Sequence, residues 1–179
     1  AGNMDLTPIN LCSDGKAQAK YTVAPGVMDA NDVVRYILYD GQSNDPRNGV
    51  IVNFNDNGGF VFDGTKMTLG KTYYIAVFVG NVDPKNGNVN FTDRCLDNTP
   101  GVPVTWFKYP ESKITGLNEL SCKVPSIVLD GSTSVSGSGD ALRYTWTPGA
   151  DQTSNKTVTA PGTYTLNVVD PRANCANTS

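Results

Sequence analysis

Histidine is absent from the chain, Glu111 and Glu119 are its sole glutamates, and no apolar run approaches the length of a membrane span. Each absence excludes something. Without an imidazole there is no Ser-His-Asp or Cys-His pair and no His-based zinc site. A Ser or Cys nucleophile would also lack the base that activates it. Glu111 and Glu119 fall near the middle of the chain and the aspartates sit mostly in turns, so no carboxylate pair suggests glycosidase chemistry. The expectation is that the chain is not an enzyme. The 14 Lys and Arg are scattered singly under a net charge of −3, which argues against nucleic acid. Neither a spanning segment nor a basic-then-apolar leader is present in these residues, so membrane insertion is not expected.

Helix signals are also scarce; only residues 29–35 could open with a capped turn, at Asp29 or Asn31. What fills the chain is Asn, Thr, Ser, Asp and Gly, the residues of turns and strand faces. Segments 17–23, 33–39, 49–54, 72–79, 88–92 and 102–107 are rich in β-branched and aromatic residues. Turn clusters such as Asn57-Gly58-Gly59 and Asn86-Gly87 separate them. The run 72–79 is apolar at nearly every position, as a central strand buried on both faces would be. After the polar stretch 108–113 a second set of strands is predicted at 113–117, 126–130, 141–147, 155–160 and 162–169. The predicted fold is therefore all-β, two β-sandwich domains in tandem over residues 1–110 and 111–179.

In the second domain Tyr144 and Trp146 alternate with threonines, and Tyr164, Leu166 and Val168 form the inner face of a later strand. A core Trp on a middle strand and a Tyr just after a turn match an immunoglobulin-like pattern. Trp106, Trp146, Tyr144 and Tyr164 are the predicted structural core aromatics. The strand that should close such a sandwich after the Tyr strand is not evident before Ser179, and is expected to lie outside these residues or on another chain.

Cys12, Cys95, Cys122 and Cys175 are widely spaced, with no C-x-x-C pair, which favours disulfides and an oxidising compartment. Given the domain division, the expected pairs are Cys12–Cys95 and Cys122–Cys175, because a cross-domain bond would tie two independent cores together. No cofactor is implied except calcium. Asp29, Asn31 and Asp32, facing the loop with Asp56, are the candidate metal ligands, although the same residues favour turns and no EF-hand pattern occurs.

The segments L-S-C-K-V-P-S-I-V-L-D-G-S-T-S (120–134), L-R-Y-T-W-T-P-G (142–149) and T-V-T-A-P-G-T-Y-T-L-N-V-V-D-P-R-A-N-C (157–175) resemble the PKD-like, immunoglobulin-like repeats of giant surface proteins of Bacteroidota. Residues 69–76, 93–96 and 101–106 resemble, more loosely, the companion module of those proteins. The resemblance implies a repeat module of a gliding-motility adhesin or grappling filament, exported by the type IX route to the cell surface. Its implied partners are neighbouring modules of the same long chain and a surface glycan or prey-cell ligand. A homo-oligomeric filament would follow if the missing closing strand came from a neighbour. The alternative is a glycan-binding accessory module of a secreted polysaccharide-degrading enzyme, recognising sugar through first-domain loops.

Overall fold

A computed structural model describes residues 2–26, 28–116 and 119–179, and among them every regular element is a β-strand. The chain divides into two compact units, Ala1–Trp106 and Phe107–Ser179. The boundary falls before residue 110, and the second unit shows why. Phe107 is buried and lies 6.0 Å under the Arg172 guanidinium, and Asn177 donates its side-chain amide to the Pro110 carbonyl at 2.9 Å. Residues 107–110 are thus packed within the second unit.

The first ten strands are β1 (Gly2–Met4), β2 (Ile9–Cys12), β3 (Lys16–Gln18), β4 (Tyr21–Val23), β5 (Asp32–Asp40), β6 (Val50–Asn55), β7 (Gly59–Val61), β8 (Thr72–Asn81), β9 (Asp97–Asn98) and β10 (Val102–Phe107). Five of them form a sheet in the order β2-β10-β8-β5-β6, and β9 adds to β8 beyond β10. The pairs β3-β7 and β1-β4 are separate two-stranded ladders. Strand β8 is central and loses both faces to packing, which is why it reads as a continuous apolar run. Tyr73 and Ile75 join Leu38, Val104 and Trp106 on one face, under Ala17 of β3 and Phe60 of β7. On the other, Ala76 and Phe78 join Ile37, Tyr39, Val89 and Leu96. The Trp106 indole N–H, buried with its ring, donates to the Gly15 carbonyl at 2.8 Å.

The second unit adds β11 (Ile127–Asp130), β12 (Arg143–Thr147), β13 (Asn155–Val158), β14 (Thr165–Asp170) and β15 (Cys175–Thr178). Strands β11 and β13 pair, and β12-β14-β15 form a second sheet. Trp146, Leu129, Val158, Leu166 and Val168 make the core, with Tyr144 and Tyr164 packed against it. Trp146 sits opposite Leu166 in the ladder and its indole donates to the Thr153 carbonyl at 3.0 Å. The Tyr164 hydroxyl donates back to the Ala160 carbonyl at 2.9 Å, tying the strand to the turn that feeds it.

Several expectations change. The closing strand is present: Cys175–Thr178 pairs with β14 from Asp170↔Cys175 to Asn167↔Thr178, and the Leu166 and Ser179 backbones exchange two further bonds. A short turn with Asn174 at φ 55° reverses the chain, a conformation Asn tolerates. Segment 17–23 splits into β3 and β4, which pair in different ladders. Segment 88–92 makes one bridge, Val82↔Val89, because Asn86 and Asn90 side chains accept backbone N–H groups two residues on and hold the chain in turns. Segment 113–117 contributes the bridge Thr115↔Asp130, and Leu117 lies outside the described residues. The capped turn exists at Asp29–Asn31, but the chain enters strand β5 rather than a helix. No helix is long and apolar enough to cross a membrane among the described residues.

Candidate functional site

The cysteines do not pair as expected. Cys12 and Cys175 are disulfide-bonded, whereas Cys95 and Cys122 are free and exposed, so neither Cys12–Cys95 nor Cys122–Cys175 forms. Strand geometry gives the reason. Cys12 lies a turn from Gly15, which receives the Trp106 indole, and the neighbouring Thr105 pairs with Thr72 at the start of β8. Cys95 belongs to the turn built on Asp93, whose carboxylate accepts the N–H groups of Cys95 and of Asn81 at the far end of β8. A ten-residue strand separates the two sites by about 30 Å, against a Cα separation below about 7 Å for a disulfide. In the second unit Cys122 sits in the tight turn Ser121–Val124, next to Leu120, which lines a recess beside Tyr164. Cys175 pairs with Asp170, roughly 20 Å further along the same stretch of chain.

Two of the candidate calcium ligands, Asp29 and Asp32, cap their own turn: Asp29 accepts the Asn31 N–H at 2.8 Å and Asp32 accepts the Asp29 N–H at 3.1 Å. Asp56 stands in the β6–β7 loop, and among the described residues no group of three or more acidic or cysteine side chains could hold a metal ion. Trp106 and Trp146 are 1% and 0% exposed, which removes both as stacking platforms. Tyr144 and Tyr164 are half-buried against the second core.

Another pair of aromatic rings is accessible. Phe54 and Phe91, each 49% exposed, line one recess of about 90 Å³ on the first unit together with Arg35, Ile37, Ile51 and Asn88. Phe54 reaches this face because β6 carries a bulge. The pairing runs Ile37↔Phe54 and Leu38↔Asn53, then jumps to Tyr39↔Ile51. Ile51 and Phe54, three residues apart, therefore share a face that regular alternation would deny them. Phe91 arrives from the 82–96 loop and packs edge-on against Phe78 at 5.4 Å. Arg35 fixes that loop, donating to the Gly87 carbonyl at 2.7 Å and to the Asn88 side chain at 3.4 Å. Asp93 anchors its far end. Its carboxyl is held below the usual range chiefly by the Cys95 N–H, then by the Asn81 N–H. Beside the recess a second one, of about 470 Å³, is lined by Asp83, Asn86, Asn88, Asn90 and Phe91. Two apolar rings flanked by amides offer contact to an apolar surface or to the C–H face of a sugar, with side-chain amides to bond its hydroxyls.

Sequence reasoning passed over these two phenylalanines, yet a signal was there. The pattern V-N-F-x-D occurs twice, at 52–56 and 89–93, and each copy contributes its Phe to the same recess. A larger recess of about 660 Å³ in the second unit is lined by Ile127, Leu129, Val158 and Tyr164 and is the open end of that core.

No protein-family model and no curated protein matches the chain. Among solved structures it is similar to the Clostridium thermocellum CbhA fibronectin(III)-like modules, at 13% identity over 99% of this chain and 91% of that one, with a TM-score of 0.37. A likeness at that score carries no argument about fold or function, and the all-β assignment rests on the strand ladders themselves.

Proposed function

We propose that the chain is a structural and adhesive repeat module of a large extracellular bacterial surface protein, of the adhesin or filament kind that its PKD-like motifs resemble. The observation that carries the reading is that two compact β units, each with a core closed around its own Trp, occupy so short a chain. Modules that bury their own cores can be repeated along a polypeptide without depending on distant neighbours. The disulfide-bonded Cys12 and Cys175 support an oxidising compartment, in keeping with export and surface display. Resistance to extension then comes from the ladders of each unit rather than from a disulfide within each. Neighbouring modules of the same chain and a surface or prey-cell ligand are its partners in this reading.

The second reading, a glycan-binding accessory module, is favoured by the Phe54–Phe91 recess and its flanking amides. One experiment separates the two: retention of the chain on apolar and cell surfaces, beside a soluble-glycan array, for the parent and Phe91→Ala. The adhesive reading expects broad surface retention that Phe91→Ala weakens, with no saturable glycan. Saturable binding of one glycan class, lost in Phe91→Ala, would transfer the assignment to the accessory module. Neither kind of binding would sink both.

A further inference from the structure

We propose that Asn48 is a site of spontaneous backbone modification, deamidating through a succinimide with Gly49, while the other two Asn-Gly pairs of the chain are restrained from it. Asn-Gly occurs at 48–49, 57–58 and 86–87. In each pair the attacking nitrogen belongs to a glycine, which has no side chain to shield it. The local chemistry is therefore shared, and the fold alone distinguishes the three. The Gly58 N–H donates to the Asn55 side-chain oxygen and the Gly87 N–H to the Asp83 carbonyl, each at 2.8 Å. The side-chain oxygens of Asn57 and Asn86 are pinned as well, accepting the N–H groups of Gly59 and Asn88, each at 2.9 Å. A nitrogen engaged in a hydrogen bond is a poor nucleophile, and a pinned amide cannot turn its carbon toward that nitrogen. At Asn48 both restraints are weaker. The Gly49 N–H reaches the Pro46 carbonyl only at 3.4 Å, longer than an ordinary backbone bond. The Asn48 side chain is exposed and makes one bond among the described residues, from its nitrogen to the Asp45 carboxylate at 2.7 Å, so its oxygen is not pinned.

In the first step the Gly49 nitrogen bonds to the Asn48 side-chain carbonyl carbon, and the bond from that carbon to Nδ2 breaks. The Gly49 proton leaves with that nitrogen as ammonia. Water, the one co-reactant, then opens the ring at either carbonyl. The products are aspartate or, with the main chain rerouted through the side chain, isoaspartate. Either product sets a carboxylate near Asp45 where a donor stood, and like charges repel. Isoaspartate also adds a methylene to the backbone where there is little slack, because a Cβ at Gly49 would lie 2.3 Å from the Tyr39 ring. Val50 opens β6, whose Ile51 and Phe54 line the aromatic recess. The modification thus alters the entry to the strand that carries one wall of the candidate surface, whichever functional reading holds.

The test is incubation of the folded chain at mildly alkaline pH beside the same chain in urea. Each Asn-Gly pair is followed by peptide mass spectrometry that separates aspartate from isoaspartate. In urea all three should convert at similar rates. In the folded chain Asn48 should convert roughly two- to tenfold faster than Asn57 or Asn86, the factor that one backbone hydrogen bond is worth. Asn55→Ala removes the acceptor of the Gly58 N–H and should bring Asn57 up toward the rate of Asn48. Asn86 should stay slow in that variant, which also reports that it is folded. Conversion of Asn57 or Asn86 as fast as Asn48 in the folded parent overturns the proposal. So does an Asn48 that persists in the folded chain while it converts in urea, or an Asn57 that Asn55→Ala leaves unchanged.

Discussion

Asp170 is fully buried at the end of β14, and replacing it should unfold the second unit more readily than any change of a surface charge. One carboxylate oxygen accepts the Ser136 hydroxyl and the Ser138 N–H, each at 2.7 Å. The other accepts the Ser138 hydroxyl at 2.7 Å and the Arg172 N–H at 3.1 Å. The loop from Ser136 to Asp140 is thereby latched to the sheet, and Arg172 closes it from outside with a two-pronged pair to Asp140 at 2.7 and 2.9 Å. Hydrogen bonds to a charged acceptor are worth about 1.5–3 kcal/mol each, but they are not additive, and removing the carboxylate also relieves its own burial. We therefore expect Asp170→Ala to cost about 3–5 kcal/mol, the range for removing one partner of a buried charged network. In a domain of this size that lowers the melting midpoint by roughly 15 °C or more.

The pH dependence supplies the second half of the test. Burial alone would raise the Asp170 carboxyl, but bonds from Ser138, Ser136 and the Arg172 N–H outweigh it and hold the group below the ordinary Asp range. A depressed folded value means the stabilisation is complete above the unfolded value of about 3.9 and is lost as pH falls through the folded one. The gap between parent and Asp170→Ala should therefore be constant near neutrality and narrow in acid. Urea unfolding read by Trp146 fluorescence, in a Trp106→Phe background so that a single indole reports, measures both quantities. A cost below about 1 kcal/mol, or a gap that does not shrink in acid, would refute the latch.

Two further outcomes follow from the geometry. A thiol reagent applied to the native, unreduced protein should label Cys95 and Cys122 and leave Cys12 and Cys175 protected until reduction; labelling of none or of all four contradicts the pairing. Gly137→Ala would set a Cβ 1.9 Å from the Lys108 carbonyl oxygen, a backbone atom that cannot swing away, and should cost about 3 kcal/mol in thermal or urea unfolding. Gly139→Ala has open space and meets only the strain of its φ of +84°, about 1–2 kcal/mol, so equal costs would contradict the close approach at Gly137.

What the sequence disclosed, and what it hid, divides by the range of the interaction that decides each feature. Strand β8 was legible because two-sided burial demands an apolar residue at every position. The Tyr144–Trp146 and Tyr164–Leu166–Val168 alternations were legible because one-sided burial repeats every second residue. Strands β1, β2, β7 and β9 span two to four residues, too few to display any period. The last strand, C-A-N-T, buries Cys175 alone, so its pairing partner rather than its composition makes it a strand. The cysteine pairing failed for a related reason. Spacing along the chain says nothing of which end of a strand a residue reaches, and β8 is long enough to decide the matter.

The recess joins the two kinds of information. Each V-N-F-x-D segment is local and visible, but alone it is an apolar residue among amides, which is common in loops. What turns two such segments into one surface is the β6 bulge and the Arg35 clamp on the 82–96 loop, both set by pairing across the sheet. The repeat carries its Phe and its Asp to different ends: the Phe to the shared recess, the Asp to the turn behind it, where Asp93 caps Cys95 while Asp56 faces solvent. That difference leaves Cys95 in a held, exposed turn instead of a disulfide. The anchoring of one loop thus explains an accessible ring and an unpaired thiol together.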